Sequence, residues 1–244
     1  MKLDVLFSPV QADELYFTGK TTIVIDVLRA STTITTALSN GAKEVVPVGT
    51  VEFAVKVSGG IFGGQTLLGG ERNTKKIEGF ALGNSPSEYK KEIVSGKSIV
   101  FYSTNGSRAI VKAKYSANLF ICSFNNLVTL AKHLKKLNED VVILCSGNNN
   151  FFSLEDSVCA GMLVNELVTE NKKDELTDAA RSAIALFKSF GKNILKMLNE
   201  TDHGRLLIEN GFKDDLKICA ELDSTEVIPV YKGNVLKVLN EAIN

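Results

Sequence analysis

Histidine is nearly missing from this chain. His133 and His203 are the only two among 244 residues, which excludes a three-histidine zinc centre. Cysteine is sparse too: Cys122, Cys145, Cys159 and Cys219 lie far apart among apolar neighbours, with no Cys-x-x-Cys pair. Neither a zinc ribbon nor a thioredoxin-like site fits that spacing, and reduced, buried thiols in a cytoplasmic protein are expected. No apolar run reaches the ~18 residues of a membrane-spanning helix. Met1 to Phe7 lacks the apolar stretch and small-residue cleavage site of a signal peptide. A surplus of either charge is lacking as well, since 28 Lys and Arg face 28 Asp and Glu. No global field therefore draws the chain to nucleic acid or an anionic membrane, and any basic pocket must be local.

Several familiar chemistries are also missing. A cysteine phosphatase needs Cys-x5-Arg, but the sixth residues after the cysteines are Val128, Phe151, Asn165 and Thr225. The Asp-x-Asp of the haloacid dehalogenase type fails because Leu28 follows Val27 after Asp26. Walker A, Gly-x-Gly-x-x-Gly and Gly-x-Ser-x-Gly signatures are absent. What survives these exclusions is a site of oxygen ligands and anion-binding groups.

What is present is an alternation of short β-branched runs with helical patterns. Strands are predicted over 22–27, 44–48, 98–102, 118–122 and 140–145, and helices over 31–40, 51–57, from about 107, and over 127–137. In the last of these, Leu127, Leu130, Ala131, Leu134 and Leu137 share a face opposite Lys132, Lys135 and Lys136. Beyond residue 150 the pattern turns helical: 154–170, a helix around 176–187, then 193–198, 204–209 and 214–222. A strand over 226–231 closes the series. The alternation predicts an α/β protein, a three-layer α/β/α sandwich with a mixed, largely parallel sheet. A single domain over residues 1–244 is expected, with two lobes left open by the change of pattern near 150. The Gly-rich segment Gly59–Gly70 reads as a long functional loop.

Polar residues gather where predicted strands end, the place where open α/β sheets bind ligands. Asp26-Val27-Leu28-Arg29-Ala30-Ser31-Thr32 is the first such segment. Read structurally, Ser31 or Thr32 is an N-cap and Arg29 a surface residue; that leaves Asp26 unexplained, an acid costly to place on an apolar strand without a partner. Ser103-Thr104-Asn105-Gly106-Ser107-Arg108 offers a flexible turn, free N–H groups and a forked cation, equally an anion cradle or a capped turn. Gly69-Gly70-Glu71-Arg72-Asn73-Thr74 and the later Asn84-Ser85-Pro86 suit either a site or a surface loop with a capped helix. Ser146-Gly147-Asn148-Asn149-Asn150 precedes Glu155-Asp156, two acids that fit a helix start or a hard cation. His203 is a general acid or a polar helix start. His133 reads as solvated, and Asp214, Asp215 and Asp223 as surface acids and caps.

Taken in order, these segments resemble the 2-phosphosulfolactate phosphatase family. The resemblance rests on residues 26–32, 70–72, Gly79-Phe80-Ala81-Leu82-Gly83-Asn84-Ser85-Pro86, 103–108, Ser153 to Gly161, His203-Gly204-Arg205 and Gly211-Phe212-Lys213-Asp214-Asp215. It spans about residues 22–230. It implies a Mg²⁺-dependent hydrolase, a phosphatase acting on 2-phospho-3-sulfolactate in coenzyme M biosynthesis, or on a related phosphorylated hydroxy-acid. Carried onto this chain, it gives a metal site of Asp26, Glu155 and Asp156, and catalytic roles for Asp26, Glu71 and His203. Substrate contacts are expected from Arg29, Ser31, Arg72, Asn84, Ser85, Thr104, Asn105, Gly106, Ser107, Arg108 and Arg205. The partner is a small anionic phosphorylated substrate, with no nucleic acid and no membrane, and a homo-oligomer is left open. The alternative is a non-catalytic binder or sensor of small anionic metabolites using the same arginines.

Overall fold

The computed structural model describes residues 1–60, 66–168 and 175–240. Its strands are β1 (Lys2–Leu6), β2 (Thr21–Ile25), β3 (Glu44–Pro47), β4 (Thr66–Arg72), β5 (Lys75–Lys76), β6 (Ser98–Tyr102), β7 (Asn118–Cys122), β8 (Val141–Cys145), β9 (Glu175–Leu176), β10 (Pro229–Lys232) and β11 (Val235–Val238). The helices are α1 (Ala30–Ser39), α2 (Val51–Gly60), α3 (Lys91–Val94), α4 (Gly106–Lys112), α5 (Leu127–Leu137), α6 (Leu154–Leu167), α7 (Asp178–Phe190), α8 (Ile194–Glu200), α9 (Asp202–Glu209) and α10 (Lys213–Cys219).

All described strands join one sheet in the order β5-β4-β6-β3-β11-β10-β7-β2-β8-β1-β9. Two parallel blocks, β4-β6-β3 and β7-β2-β8-β1-β9, are linked through the antiparallel hairpin β10-β11. The near-continuous apolar runs of β2 and β8 are buried along their whole length, as strands covered on both faces must be. On one face Leu3, Ile23, Ile25 and Ile143 pack against Leu130 of α5, Val158 of α6 and Ala180 of α7. On the other, Val24, Ile121 and Leu144 meet Ile34 and Ala37 of α1 and Ile110 of α4, together with Ile99 and Phe101 of β6. A third apolar cluster places Val46 and Val100 against Ala54 and Val57 of α2. This is the α/β sandwich expected from the sequence, with helices on both faces of a mixed, mostly parallel sheet. Helices α1 and α4 touch strands of both blocks, so the loops after β2, β4, β6 and β8 are drawn toward a common crevice. No helix of the described residues is long and apolar enough to cross a membrane.

The Gly59–Gly70 segment is not a simple loop. Helix α2 runs through Gly59 to Gly60 and β4 begins at Thr66, while residues 61–65 lie outside the described residues. Its glycines answer to close approach within the sheet. A Cβ on Gly69 would overlap the Tyr89 hydroxyl; one on Gly70, at φ +141, would overlap the Tyr102 carbonyl of β6. The predicted helix to residue 170 ends at Leu167, and 169–170 also fall outside the described residues. The strand expected to close the chain is followed by another. Gly233 at φ 62 and Asn234 at φ 66 form a tight two-residue turn that returns β10 into β11.

Candidate active site

The loops at the carboxyl ends of β2, β4, β6 and β8, with the start of α9, enclose a cleft of about 500 Å³. Its lining includes Asp26, Arg29, Glu71, Arg72, Thr74, Asn84, Thr104, Asn105, Asn148 and His203. The site is best understood by asking what each buried carboxylate does there, because an acid taken out of water must find donors.

Three of these acids staple loops together. Glu71 accepts the Thr104 N–H at 2.7 Å and the Thr74 N–H at 2.8 Å, with the Thr104 hydroxyl at 3.2 Å, tying the end of β4 to the loop after β6. Asp156 accepts the Val27 N–H at 2.9 Å, the Gly147 N–H at 3.1 Å and the Ser146 hydroxyl at 3.3 Å, tying the loop after β2 to the loop after β8. Burial, then the charges of Asp26 and Glu155, holds the Asp156 carboxyl well above the usual carboxylate range. Asp215 forms an ion pair with Arg29 at 2.7 Å and accepts the Ser85 hydroxyl at 2.6 Å. Arg29 also donates to the Thr74 carbonyl at 2.9 Å and stacks on the Phe212 ring at 4.2 Å. Neither Arg29 nor Asp215 is a surface residue: both are buried. The Leu28–Arg29 peptide bond is cis.

Asp26 is different. It sits one residue past β2 at the floor of the cleft, and its Oδ1 accepts the Ala30 N–H at a longer 3.2 Å. Burial pushes its carboxyl up to about 6; the Glu71 charge adds to the rise, while the His203 charge, the Ala30 N–H and the Ser146 hydroxyl restrain it. Space around it is tight. A Cβ on Gly106 would overlap both the Asp26 carboxylate and the Ala30 methyl, so the glycine of the 103–108 segment lets α4 approach Asp26 rather than cradling an anion itself.

His203 comes from the first turn of α9, whose start is fixed by the Thr201 hydroxyl accepting the Gly204 N–H at 3.0 Å. Its Nδ1 lies 3.5 Å from Oε1 of Glu155, which is buried. Burial alone would lower the imidazole's pKa, but the bond to Glu155 and the charges of Glu155 and Asp26 outweigh it and the net shift is upward.

Of the residues singled out in the sequence, Asp26, Arg29, Glu71, Arg72, Asn84, Thr104, Asn105 and His203 line one cleft. Others do not. Arg108 is exposed and faces a neighbouring cleft with Pro9, Glu14 and Lys112, because α4 turns its third residue away from Asp26. Arg205 is exposed on α9, paired with Asp202 at 2.5 Å and bonded to the Glu200 carbonyl at 2.8 Å. Ser107 is buried, exchanging hydrogen bonds with Ser103 and donating to the Val48 carbonyl at 2.8 Å. Ser31 accepts the Asp26 N–H at 2.9 Å, and Ser85 is held by Asp215. Asp156 accepts protein donors and Glu155 faces His203, while the charges of Asp26 and Glu155 both act on Asp156. Among the described residues no three His, Cys, Asp or Glu side chains are grouped to hold a metal ion.

The cleft also contains Lys75 and Asn210, which no sequence motif marks, and Asn73, Thr74 and Asn149 from the marked segments; Asp215, expected as a surface acid, supports it. A signal existed at two of the segments. Asn73 and Thr74, and again Asn149 and Asn150, have positive φ, and runs of Asn beside Gly favour such turns. Elsewhere, Asp223 caps as expected, accepting the Val128 N–H at 2.6 Å, and His133 packs edge-on against Phe120.

Fold and site together define an α/β enzyme whose polar cleft, floored by a carboxylate and walled by arginine and lysine, opens at the carboxyl ends of the strands. A family model described as 2-phosphosulpholactate phosphatase matches residues 7–234. The chain belongs to that family of phosphoric monoester hydrolases. It is 40% identical over 237 residues to a probable 2-phosphosulfolactate phosphatase of Clostridium acetobutylicum, covering 97% of this chain and 100% of that protein. The protein of the same name from Clostridium beijerinckii is 37% identical over 95% of this chain and 97% of its own. The one from Caldanaerobacter subterraneus is 39% identical over 89% and 90%.

Proposed function

We propose that the chain hydrolyses the phosphate ester of 2-phospho-3-sulfolactate, giving 3-sulfolactate and phosphate, in a Mg²⁺-dependent reaction that serves coenzyme M formation. Family membership and the names of the relatives support the ester and the sulfonate. Such a substrate carries a phosphate, a carboxylate and a sulfonate, roughly four negative charges near neutral pH because the second phosphate pKa is about 6. A chain of zero formal net charge has to meet it with local cations. Arg72 and Lys75 stand exposed at the cleft, and Arg29, ion-paired with Asp215, forms part of its wall. Guanidinium groups suit oxyanions through their fixed pair of donors.

The observation that carries the reading is Asp26. It is a buried carboxylate at the floor of the cleft, thinly bonded by the protein, and burial pushes its pKa upward. Mg²⁺ takes oxygen ligands, keeps several waters, and is commonly held by one or two carboxylates together with substrate phosphate oxygens. Asp26 supplies the carboxylate which that demand requires. When bound, the ion supplies charge neutralisation at the phosphoryl oxygens and orients water for in-line attack. Asp26 then fixes where the phosphoryl group lies. Glu71 keeps the Thr104 and Thr74 backbones in place around it, and Asn105, bonded to the Asn149 N–H at 3.0 Å, braces the opposite rim.

The test is phosphate release from a panel of phosphorylated hydroxy-acids with Mg²⁺ or with a chelator. Release is expected from the sulfonated ester, falling to background on chelation. Binding that survives chelation, without release under any metal, would instead favour a metabolite sensor.

A further inference from the structure

Expulsion of a hydroxy-acid's alkoxide from phosphorus needs a proton on the leaving oxygen, since an alkyl alkoxide is a poor leaving group. We propose that His203 delivers that proton from Nε2 and that Glu155 is its positioning residue, gripping Nδ1, rather than a ligand of the metal. The proposal rests on the phosphatase reading above.

The geometry gives three supports. Glu155 Oε1 stands 3.5 Å from Nδ1 of His203, and the two nitrogens of an imidazole point to opposite sides. A ring held at Nδ1 by a buried carboxylate therefore turns Nε2 away from Glu155, and His203 lines the cleft that holds Asp26. Second, the backbone under the ring is anchored: Thr201 caps α9, and a Cβ on Gly204 would overlap the Leu198 carbonyl, fixing α9 against the end of α8. Third, apart from Asp26 on the cleft floor, the other acids near the cleft are committed elsewhere. Glu71, Asp156 and Asp215 each hold backbone or side-chain donors, whereas Glu155 sits beside His203 with Ser153 and Thr201 around it. The arrangement matches a base held by a third group, in which the carboxylate fixes the ring's tautomer and supports its cationic form. In the step itself, water oxygen bonds to phosphorus as the P–O bond to the hydroxy-acid breaks. The Nε2 proton passes to that oxygen, leaving neutral imidazole with its Nδ1–H on Glu155; the proton that the attacking water loses balances the cycle when His203 is recharged from solvent.

The experiment compares phospholactate with its trifluoromethyl analogue, whose electron-withdrawing group stabilises the leaving alkoxide and removes most of the need for a proton. His203→Asn is expected to lose about a hundredfold or more on phospholactate, the scale of general acid catalysis, and no more than about tenfold on the fluorinated ester. Glu155→Gln is expected to show the same selectivity at smaller size, with an unchanged Mg²⁺ concentration for half-activity. Equal losses on both esters, or a raised Mg²⁺ requirement in Glu155→Gln, would overturn the proposal. A readout independent of turnover is nitrogen NMR of the two imidazoles in the full chain. The hydrogen-bonded Nδ1 signal of His203 should vanish in Glu155→Ala while that of His133 stays, and an unchanged His203 signal would overturn the positioning role. If the wild type released phosphate from neither ester nor from 2-phospho-3-sulfolactate, the phosphatase reading would fail, and the imidazole spectrum would still decide whether Glu155 grips the ring.

Discussion

Asp26→Asn should cost at least about a hundredfold in turnover, the lower scale for losing an essential electrostatic group, and at the same time make the protein more stable. The two effects have one cause. Burial raises the Asp26 carboxyl from 3.8 to about 6 in the folded chain, so the folded state holds that proton more tightly than the unfolded one. For an acid shifted upward, the linkage sign is that stability falls as pH rises between the two values, by about 3 kcal/mol for a shift of this size. At pH 8 in a chelator that cost is fully present, and the asparagine variant avoids it while its Oδ1 still accepts the Ala30 N–H. A gain of roughly 1–3 kcal/mol would appear as an increase in Tm of several degrees for a chain of this length. Thermal melts at pH 5 and pH 8, beside turnover with Mg²⁺, check both halves. A stability loss in the variant at pH 8, or unchanged turnover with an intact fold, would remove Asp26 from the centre of the scheme.

Asp215→Ala is expected to have the largest effect on stability. Its carboxylate is the ion-pair partner of a guanidinium that is itself buried, and it also receives the Ser85 hydroxyl. Removing one member of a buried pair leaves an uncompensated charge, a loss of about 3–5 kcal/mol, whereas replacing both by apolar groups costs far less. The cation–π contact with Phe212 does not replace the lost carboxylate, because such contacts give only about 0.5–2 kcal/mol. The double variant Arg29→Met with Asp215→Leu should therefore melt above the Asp215→Ala single variant, although it lacks a cleft residue and should be inactive. Calorimetric melting of the three proteins measures this. A single variant as stable as the wild type would mean that Arg29 finds water or another acceptor.

These two acids show why the sequence was legible in one place and opaque in another. Asp26 stood out because it follows an apolar run, and strand β2 could be read to within a residue at its start. Strands β6 and β7, helix α5 and the start of α6 were equally legible, since each buries a continuous apolar run or an apolar face. Asp215 looked like half of a surface pair with Asp214 because its partner lies 186 residues earlier in the chain, and no local spacing records such a contact. In sequence β4 looks like a loop, because its glycines serve contacts with Tyr89 and Tyr102 that only the fold reveals. Arg108 and Arg205 were credited to the cleft by proximity in sequence, whereas their helices turn them outward. Helical periodicity held that information, but only once the face toward Asp26 was known. Nor does spacing record that adjacent Glu155 and Asp156 make different contacts, one with His203 and one with the backbones of Val27 and Gly147.

The most direct measurement is a crystal structure of the Asp26→Asn protein grown with intact 2-phospho-3-sulfolactate and Mg²⁺. The phosphoryl group should lie against residue 26, between the Glu71–Thr104 staple and His203, with the remaining acidic groups toward Arg72 and Lys75. Density for the ester in the neighbouring Arg108 cleft, with the Asp26 cleft filled only by water, would contradict the account.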